Sequence, residues 1–324
     1  MSLLDVKNLK TFFPLNSGIL GKSEYFKAVN DVSFTVNKGD TYSIVGESGS
    51  GKSTIGKSIL RLINITSGTI IFDGKDITSI EGEELRLFRE NLQIIFQDPF
   101  SSLNPRHKVK DIVTEPLIIF NRIKKNEIEK QATELMKKVG LPAEAIHKYS
   151  HQFSGGQRQR IGIARAISLK PRLIVCDEPV SALDVSIQAQ ILNLMMDLKE
   201  ELDLSYIFIS HDLAVVENIS DYVAVMYAGR LMETGEKNAI FNNPLHPYTK
   251  LLLSSVPEIK KEKKEKIKET VNESFAEEKK TSINNASFCP FYKRCPEAMT
   301  QCKTAVPEMK EIEKGHSVSC FLME

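Results

Sequence analysis

Two hydrophobic periods run along this chain. Val32-Ser33-Phe34-Thr35-Val36 alternates apolar and polar residues, then meets Asn37-Lys38-Gly39-Asp40, which predicts a half-buried strand and its turn. The whole stretch 1–45 reads as strands, with Tyr42-Ser43-Ile44-Val45 a short buried one. Ile70-Ile71-Phe72-Asp73-Gly74 is a further strand closed by a turn signal. Residues 53–63 instead carry Ile55, Ile59 and Leu62 at helical spacing; 79–91 and 126–139 share that period, and 158–169 is rich in helix formers. Strands return at 173–176, 205–209 and 222–227 with a helix between each pair, which predicts an α/β fold with a parallel-sheet core. Residues 258–280 break the pattern: they are mostly Lys and Glu with no apolar stripe, so they read as a solvated helix or a disordered linker. The expected organisation is therefore a large unit over 1–257, a charged linker over 258–280 and a small Cys-rich module over 281–324.

The junction between the strand at 42–45 and the helix that follows carries Gly46-Glu47-Ser48-Gly49-Ser50-Gly51-Lys52-Ser53-Thr54, which fits the phosphate-loop pattern at every fixed position. Glycines let successive N–H groups turn inward toward phosphate oxygens, and the helix N-terminus behind them adds partial positive charge. Lys52 is the expected partner of the β- and γ-phosphates, and the Ser53 hydroxyl a ligand of Mg²⁺. Further on, Arg172-Leu173-Ile174-Val175-Cys176-Asp177-Glu178 is an apolar strand ending in two acids. Strand C-terminal ends of a parallel sheet face the ligand crevice, so Asp177 is placed to hold Mg²⁺ and Glu178 to polarise the attacking water. Either motif alone has a bland reading, a glycine turn or a strand ending in surface acids; together they predict a phosphate-loop NTPase.

Composition narrows the surroundings. An apolar fraction of 41% allows a sizeable core, and 43 basic against 42 acidic residues, net +1, gives no argument for nucleic acid as a partner. No apolar stretch approaches the ~18 residues of a membrane span. Met1-Ser2-Leu3-Leu4-Asp5 lacks the basic and apolar regions of a signal peptide, so the chain is expected in the cytosol, where paired disulfides are improbable.

Three weaker signals complete the pattern. Phe153-Ser154-Gly155-Gly156-Gln157 opens the helix-forming stretch, and paired glycines at a helix start can bind an anion. Gln97 ends the apolar strand 92–96, and its amide can bind Mg²⁺ or the attacking water. His211 follows the strand 206–209 and can donate to a γ-phosphate, although a lone histidine there is ordinarily structural. In this order and spacing, these residues resemble the ATP-binding cassette family of transporter ATPases over about residues 1–257. The resemblance implies a cassette with a parallel-sheet core, an antiparallel β subdomain and a helical signature subdomain. It implies that Ser154, Gly155, Gly156 and Gln157 cap ATP held by a partner cassette, with Phe153 standing where the family usually has Leu. Ser181-Ala182-Leu183-Asp184 matches its D-loop, Gln97 its Q-loop and His211 its switch histidine. Phe13 is the best match for the aromatic that stacks on adenine, with Tyr25 or Phe26 the alternative because 14–26 looks like an insertion.

Phe96-Gln97-Asp98-Pro99-Phe100-Ser101-Ser102-Leu103-Asn104-Pro105-Arg106, the run from Asp177 through Pro179-Val180-Ser181 to Gln190, and Asn243-Pro244-Leu245-His246-Pro247-Tyr248-Thr249 resemble the second ATPase of oligopeptide and dipeptide importers. That implies two integral membrane permease subunits, a homologous ATPase partner (or a second copy of this chain), an external solute-binding protein, and a peripheral position at the cytoplasmic face of the inner membrane. Importers for nickel or another small solute share much of this wording. A translation or repair cassette fits poorly: those types carry two cassettes or split one with a coiled coil, and a non-catalytic cassette would lack Glu178 or His211.

Cys289, Cys295, Cys302 and Cys320 lie beyond the charged stretch, separated by five, six and seventeen residues. Four clustered thiols in a cytosolic chain suggest a metal site, but structural zinc usually takes pairs two to four apart. Iron–sulfur, zinc and free thiols all stay open on spacing alone. Cys289-Pro290-Phe291-Tyr292-Lys293-Arg294-Cys295-Pro296 resembles the cluster-binding segment of peptide-importer ATPases, which implies a 4Fe–4S cluster.

Overall fold

The computed structural model of the protein describes residues 2–15, 24–255 and 287–323. The charged stretch 258–280 and most of the expected insertion at 14–26 lie outside them. The strands are β1 (Ser2–Leu15), β2 (Glu24–Asn37), β3 (Thr41–Val45), β4 (Ser67–Phe72), β5 (Lys75–Asp76), β6 (Leu92–Ile95), β7 (Leu173–Asp177), β8 (Ser205–Ser210), β9 (Tyr222–Tyr227), β10 (Arg230–Glu236), β11 (Lys310–Glu313) and β12 (His316–Val318). The helices are α1 (Lys52–Ile59), α2 (Gly82–Phe88), α3 (Pro99–Ser102), α4 (Val109–Ile119), α5 (Ile128–Lys138), α6 (Gly155–Ile167), α7 (Val185–Leu202), α8 (Leu213–Ile219), α9 (Lys237–Asn242) and α10 (Pro247–Ser254). These elements fall into two compact units, one of residues 36–41 and 79–210, the other of 2–35, 42–78 and 211–324. No described helix is long and apolar enough to cross a membrane.

The first unit holds β6, β7 and β8, paired parallel in register from Leu92↔Leu173 and Leu173↔Ser205. Every residue of β7 and β8 is buried, the continuous apolar run expected of parallel strands covered on both faces. Helices α4, α5 and α6 pack on one another, and Val113, Met136, Ile161 and Ala164 on them are fully buried. Ser154 caps α6: its Oγ accepts from Gln157 N, and Gln157 Oε1 accepts from Ser154 N at 3.1 Å, the reciprocal box that satisfies two helix-start donors.

The second unit has a sheet in the order β2-β1-β4-β5, in which β1, β4 and β5 pair antiparallel. It also holds β3 parallel to β9, followed by β10, β12 and β11, all antiparallel. The sheet is thus mixed rather than wholly parallel. Two expectations need correction. The helix predicted over 53–63 ends at Ile59, because Arg61 turns left-handed (φ 51°) and its guanidinium donates to Ile77 O at 2.7 Å; Leu62 is left exposed. Residues 287–323 do not form a module of their own. They bury too few side chains for a separate core, and β12 adds to β10 instead, with His316 Nε2 on the buried Glu233 carboxylate at 2.8 Å.

Candidate functional site

The phosphate loop leaves the buried end of β3 and enters α1 at Lys52. Gly46 (φ 152°) and Gly51 (φ 109°) accept no side chain: a Cβ would sit 2.1 Å from Met226 O on β9 and 2.1 Å from Ala28 O on β2. The two neighbouring strands therefore press the loop into shape from either side. Gly229 N donates to Ser50 O at 2.8 Å, and Glu47 N donates to Tyr248 Oη at 3.1 Å. Lys52 is buried, and its Nζ donates to Gly46 O at 2.8 Å and Glu47 O at 2.9 Å, so the ammonium is held at the centre of the loop. Ser48 and Gly49 form the exposed crest, with Ser53 and Thr54 half-buried behind it in the first turn of α1. Phe13 lies exposed on β1, and Tyr25 and Phe26 lie on β2, the strand that abuts Gly51.

The acids lie in the first unit. Asp177 ends β7 with its carboxylate buried. Glu178 follows in the left-handed region at φ 48°, uncommon for a residue with a side chain, its N–H donating to Ile209 O at 2.9 Å. Gln97 Nε2 donates to Glu178 Oε2 at 2.8 Å, so the glutamine expected as the Q-loop and the second acid meet. Cys176 is fully buried beside Asp177; burial, then that charge, pushes its thiol up and keeps it protonated. The segments expected as signature and D-loop also meet. A Cβ on Gly155 would touch Leu183 at 3.3 Å and one on Gly156 would collide with Ile187 at 2.5 Å. Ser181 Oγ donates to Glu178 O at 3.1 Å, and Asp184 O accepts the amides of Ile187 and Gln188, fixing the entry to α7. Phe153 is buried, and Arg158 Nε donates to its carbonyl at 2.9 Å, so the departure from Leu fills space without disturbing the backbone. His211 is exposed, in the turn between β8 and α8. Asp177 and Gln97 in the first unit and Ser53 in the second each offer a hard oxygen donor of the kind that suits Mg²⁺.

Residues that motif reading did not mark for the loop hold it from behind. In the Asn243–Thr249 motif, Leu245 N and His246 N donate to the Glu233 carboxylate at 2.8 and 2.9 Å. His246 Nδ1 then accepts from Tyr248 N at 3.0 Å, capping α10 and aiming Tyr248 at Glu47. Burial, aided by Lys250, lowers His246 to about 4, so it is neutral and remains an acceptor. Phe291 packs edge-on against Tyr227 and beside Tyr248 and His246, and Arg294 Nη2 and Nη1 grip the Glu47 carboxylate at 2.8 and 2.9 Å.

Cys289, Cys295, Cys302 and Cys320 line one small cavity, joined by Cys289 N donating to Cys302 O at 3.0 Å. Burial raises the first of these thiols to about 11 and pushes Cys295 and Cys320 up as well. Among the described residues, no three His, Cys, Asp or Glu side chains stand close enough to hold one metal ion. Neither the expected 4Fe–4S cluster nor a zinc ion at the four cysteines therefore finds support in their placement, although the four thiols share one cavity.

Each unit carries features of the kind expected of an ATP-binding cassette ATPase: a glycine-rich loop ahead of α1 in the second, and in the first a strand ending in paired acids, a glutamine on the second acid and a capped helix beside Leu183 and Ile187. Residues 29–181 match the family model for the ABC transporter, and residues 232–302 match that for the oligopeptide/dipeptide transporter, C-terminal region. The chain is 49% identical over 323 residues to the oligopeptide transport ATP-binding protein AppF of Bacillus subtilis, covering 99% of this chain and 97% of that one. It is 45% identical over 320 residues to the dipeptide transport ATP-binding protein DppF of Haemophilus influenzae, covering 98% and 96%. Among solved structures, the dimeric cassette MJ0796 in a post-hydrolysis state bound to ADP and Pi is similar at a TM-score of 0.64 and 28% identity, over 72% of this chain and 98% of that one. The chain belongs to the oligopeptide/dipeptide transport ATP-binding proteins of the ABC transporter family, and it is an ATPase subunit.

Proposed function

We propose that this chain hydrolyses ATP to drive uptake of oligopeptides or dipeptides through partner membrane subunits. The observation that carries the reading is end-to-end similarity to peptide-transport ATP-binding proteins. Lys52 exchanges the Gly46 and Glu47 carbonyls for β- and γ-phosphate oxygens, an exchange favoured because an ammonium–phosphate bond is charge-assisted. Glu178, oriented by Gln97, takes the proton of the attacking water, and His211 donates to the γ-phosphate. Mg²⁺, held by Ser53, Gln97 and Asp177, would neutralise charge between the phosphates. Phe13, or Tyr25 or Phe26, stacks on adenine.

Two cassettes close head to tail, so that Ser154, Gly155, Gly156 and Gln157 cap the partner's ATP while Ser181 and Asp184 link the two sites. The similarity to a dimeric cassette with ADP and Pi supports this arrangement. The partner is a homologous ATPase or a second copy of this chain. Two integral permeases hold the pair at the cytoplasmic face of the inner membrane, and an external binding protein delivers the peptide. Closure favours the transporter form to which ATP gives differential affinity. For the four-cysteine cavity the proposal is a 4Fe–4S cluster, with zinc the alternative; it rests on the resemblance of residues 289–296 to the cluster-binding segment of peptide-importer ATPases and on the four thiols lining one cavity.

Reconstitution of the chain with its permeases in vesicles tests the transport reading. Peptide and binding protein should raise ATP turnover and load the vesicles with peptide. Stimulation by nickel or another small solute, with peptide inert, would overturn the peptide assignment. Anaerobic purification with iron, sulfide and zinc analysis tests the cavity, and zinc without iron would exclude the cluster.

A further inference from the structure

The segment that presents cysteines to the cavity also reaches the nucleotide loop. Between Cys289 and Cys295 the chain makes a tight turn, with Tyr292 N donating to Cys289 O at 3.1 Å and Arg294 N to Phe291 O at 3.0 Å. One side of that turn supplies two thiols to the cavity. The other supplies Phe291 to the Tyr227, Tyr248 and His246 rings, and Arg294 to Glu47. Arg294 lies 5.7 Å from the Tyr227 ring centre and 5.8 Å from that of Phe291, which hold its guanidinium in place.

Glu47 is where these contacts meet. Its carbonyl accepts from Lys52, its N–H donates to Tyr248, and its carboxylate is gripped at both oxygens by Arg294. An uncompensated carboxylate on a phosphate loop repels a polyphosphate. A bidentate guanidinium both cancels that charge and fixes the residue whose carbonyl orients the lysine.

We propose that Arg294 is a positioning residue for ATP binding: it neutralises and fixes Glu47, and so ties the four-cysteine segment to the phosphate loop. The proposal rests on the reading of residues 46–54 as the ATP loop. Both side chains are about one-third exposed or more (34% and 42%), so solvent screens the pair and its effect is moderate.

The test is equilibrium binding of a fluorescent, slowly hydrolysed ATP analogue to the full chain, alongside turnover with the membrane partners. Arg294→Ala should weaken binding about fivefold or more, with a matching rise in KM for ATP and a nearly unchanged kcat. Glu47→Gln alone should weaken it less, and adding Glu47→Gln to Arg294→Ala should recover part of the loss, because the repelling charge is gone. Arg294→Lys should fall between wild type and Arg294→Ala. Binding by Arg294→Ala within twofold of wild type, or strictly additive effects in the double variant, would overturn the proposal. Lys52→Ala separates the two readings: if it binds as well as wild type, the loop assignment fails, whereas if it loses binding and Arg294→Ala does not, only the role of Arg294 fails. Melting curves that coincide with wild type exclude a folding defect in Arg294→Ala, and the rescue by Glu47→Gln stands independently of that control.

Discussion

Gln97 Nε2 donates to Glu178 Oε2 at 2.8 Å, across 81 residues of sequence. The acid is fixed twice, by that amide and by a left-handed backbone at φ 48° whose N–H is tied to Ile209 O. A carboxylate oriented before substrate arrives has little reorganisation left to make, which is the condition for an effective base. Glu178→Gln keeps the shape and removes the charge, so hydrolysis should fall about a hundredfold or more while ATP still binds. Gln97→Ala should lower turnover less, since it frees the carboxylate without removing it. Single-turnover assays with labelled ATP check both, and normal hydrolysis by Glu178→Gln would move the catalytic base elsewhere.

Gly51→Ala should deform the nucleotide loop. Its Cβ would lie 2.1 Å from the Ala28 carbonyl, which is backbone and cannot swing away, and the φ of 109° adds strain. A loss of about 1–3 kcal/mol of stability is expected, together with impaired ATP binding. A variant that melts and binds nucleotide like wild type would contradict this packing.

Glu233 gathers three parts of the second unit. Its buried carboxylate accepts from Leu245 N, His246 N and His316 Nε2. Glu233→Ala leaves those donors buried without a partner and should cost about 3–5 kcal/mol, the range for breaking a buried pair. Urea unfolding measures it, and a change under about 1 kcal/mol would show that water or a rearranged chain replaces the carboxylate.

His246 predicts an acid limb of stability. Its ordinary value of 6.5 is lowered to about 4 in the fold, by burial and then by Lys250. Between those values the unfolded chain binds the extra proton, so the contribution is complete above pH 6.5 and is lost as pH falls toward 4, by at most about 1.4 kcal/mol per pH unit. Protonation also turns Nδ1 from the acceptor of Tyr248 N into a donor, removing the cap of α10. Comparing unfolding free energies at pH 7 and pH 5 for wild type and His246→Asn checks the effect; equal pH slopes would sink it.

The sequence by itself determined those parts of the site whose information is local. The strand at 42–45, the glycine loop and the first turn of α1 lie in one continuous run, so spacing alone marks Lys52 and Ser53. The strand 173–177 ends in its acids for the same reason, and alternating strands and helices were enough for the parallel pairing of β7 with β8, while the partner of β9 proved to be β3. Helix ends were less legible. Leu62 continues the period of Ile55 and Ile59, yet Arg61 stops the helix through a carbonyl partner at Ile77 that no local pattern announces. The hairpin of β11 and β12 was also hidden, because Lys310–Glu313 is exposed and charged and takes its strand form from pairing with β12, which is itself held by β10. Tertiary structure alone decided that Glu47 meets Tyr248 and Arg294, 201 and 247 residues away. Periodicity reports which face of an element is buried; which charge a loop carboxylate finds depends on where folding brings distant turns together, and that is fixed by packing around Phe291, Tyr227 and Tyr248.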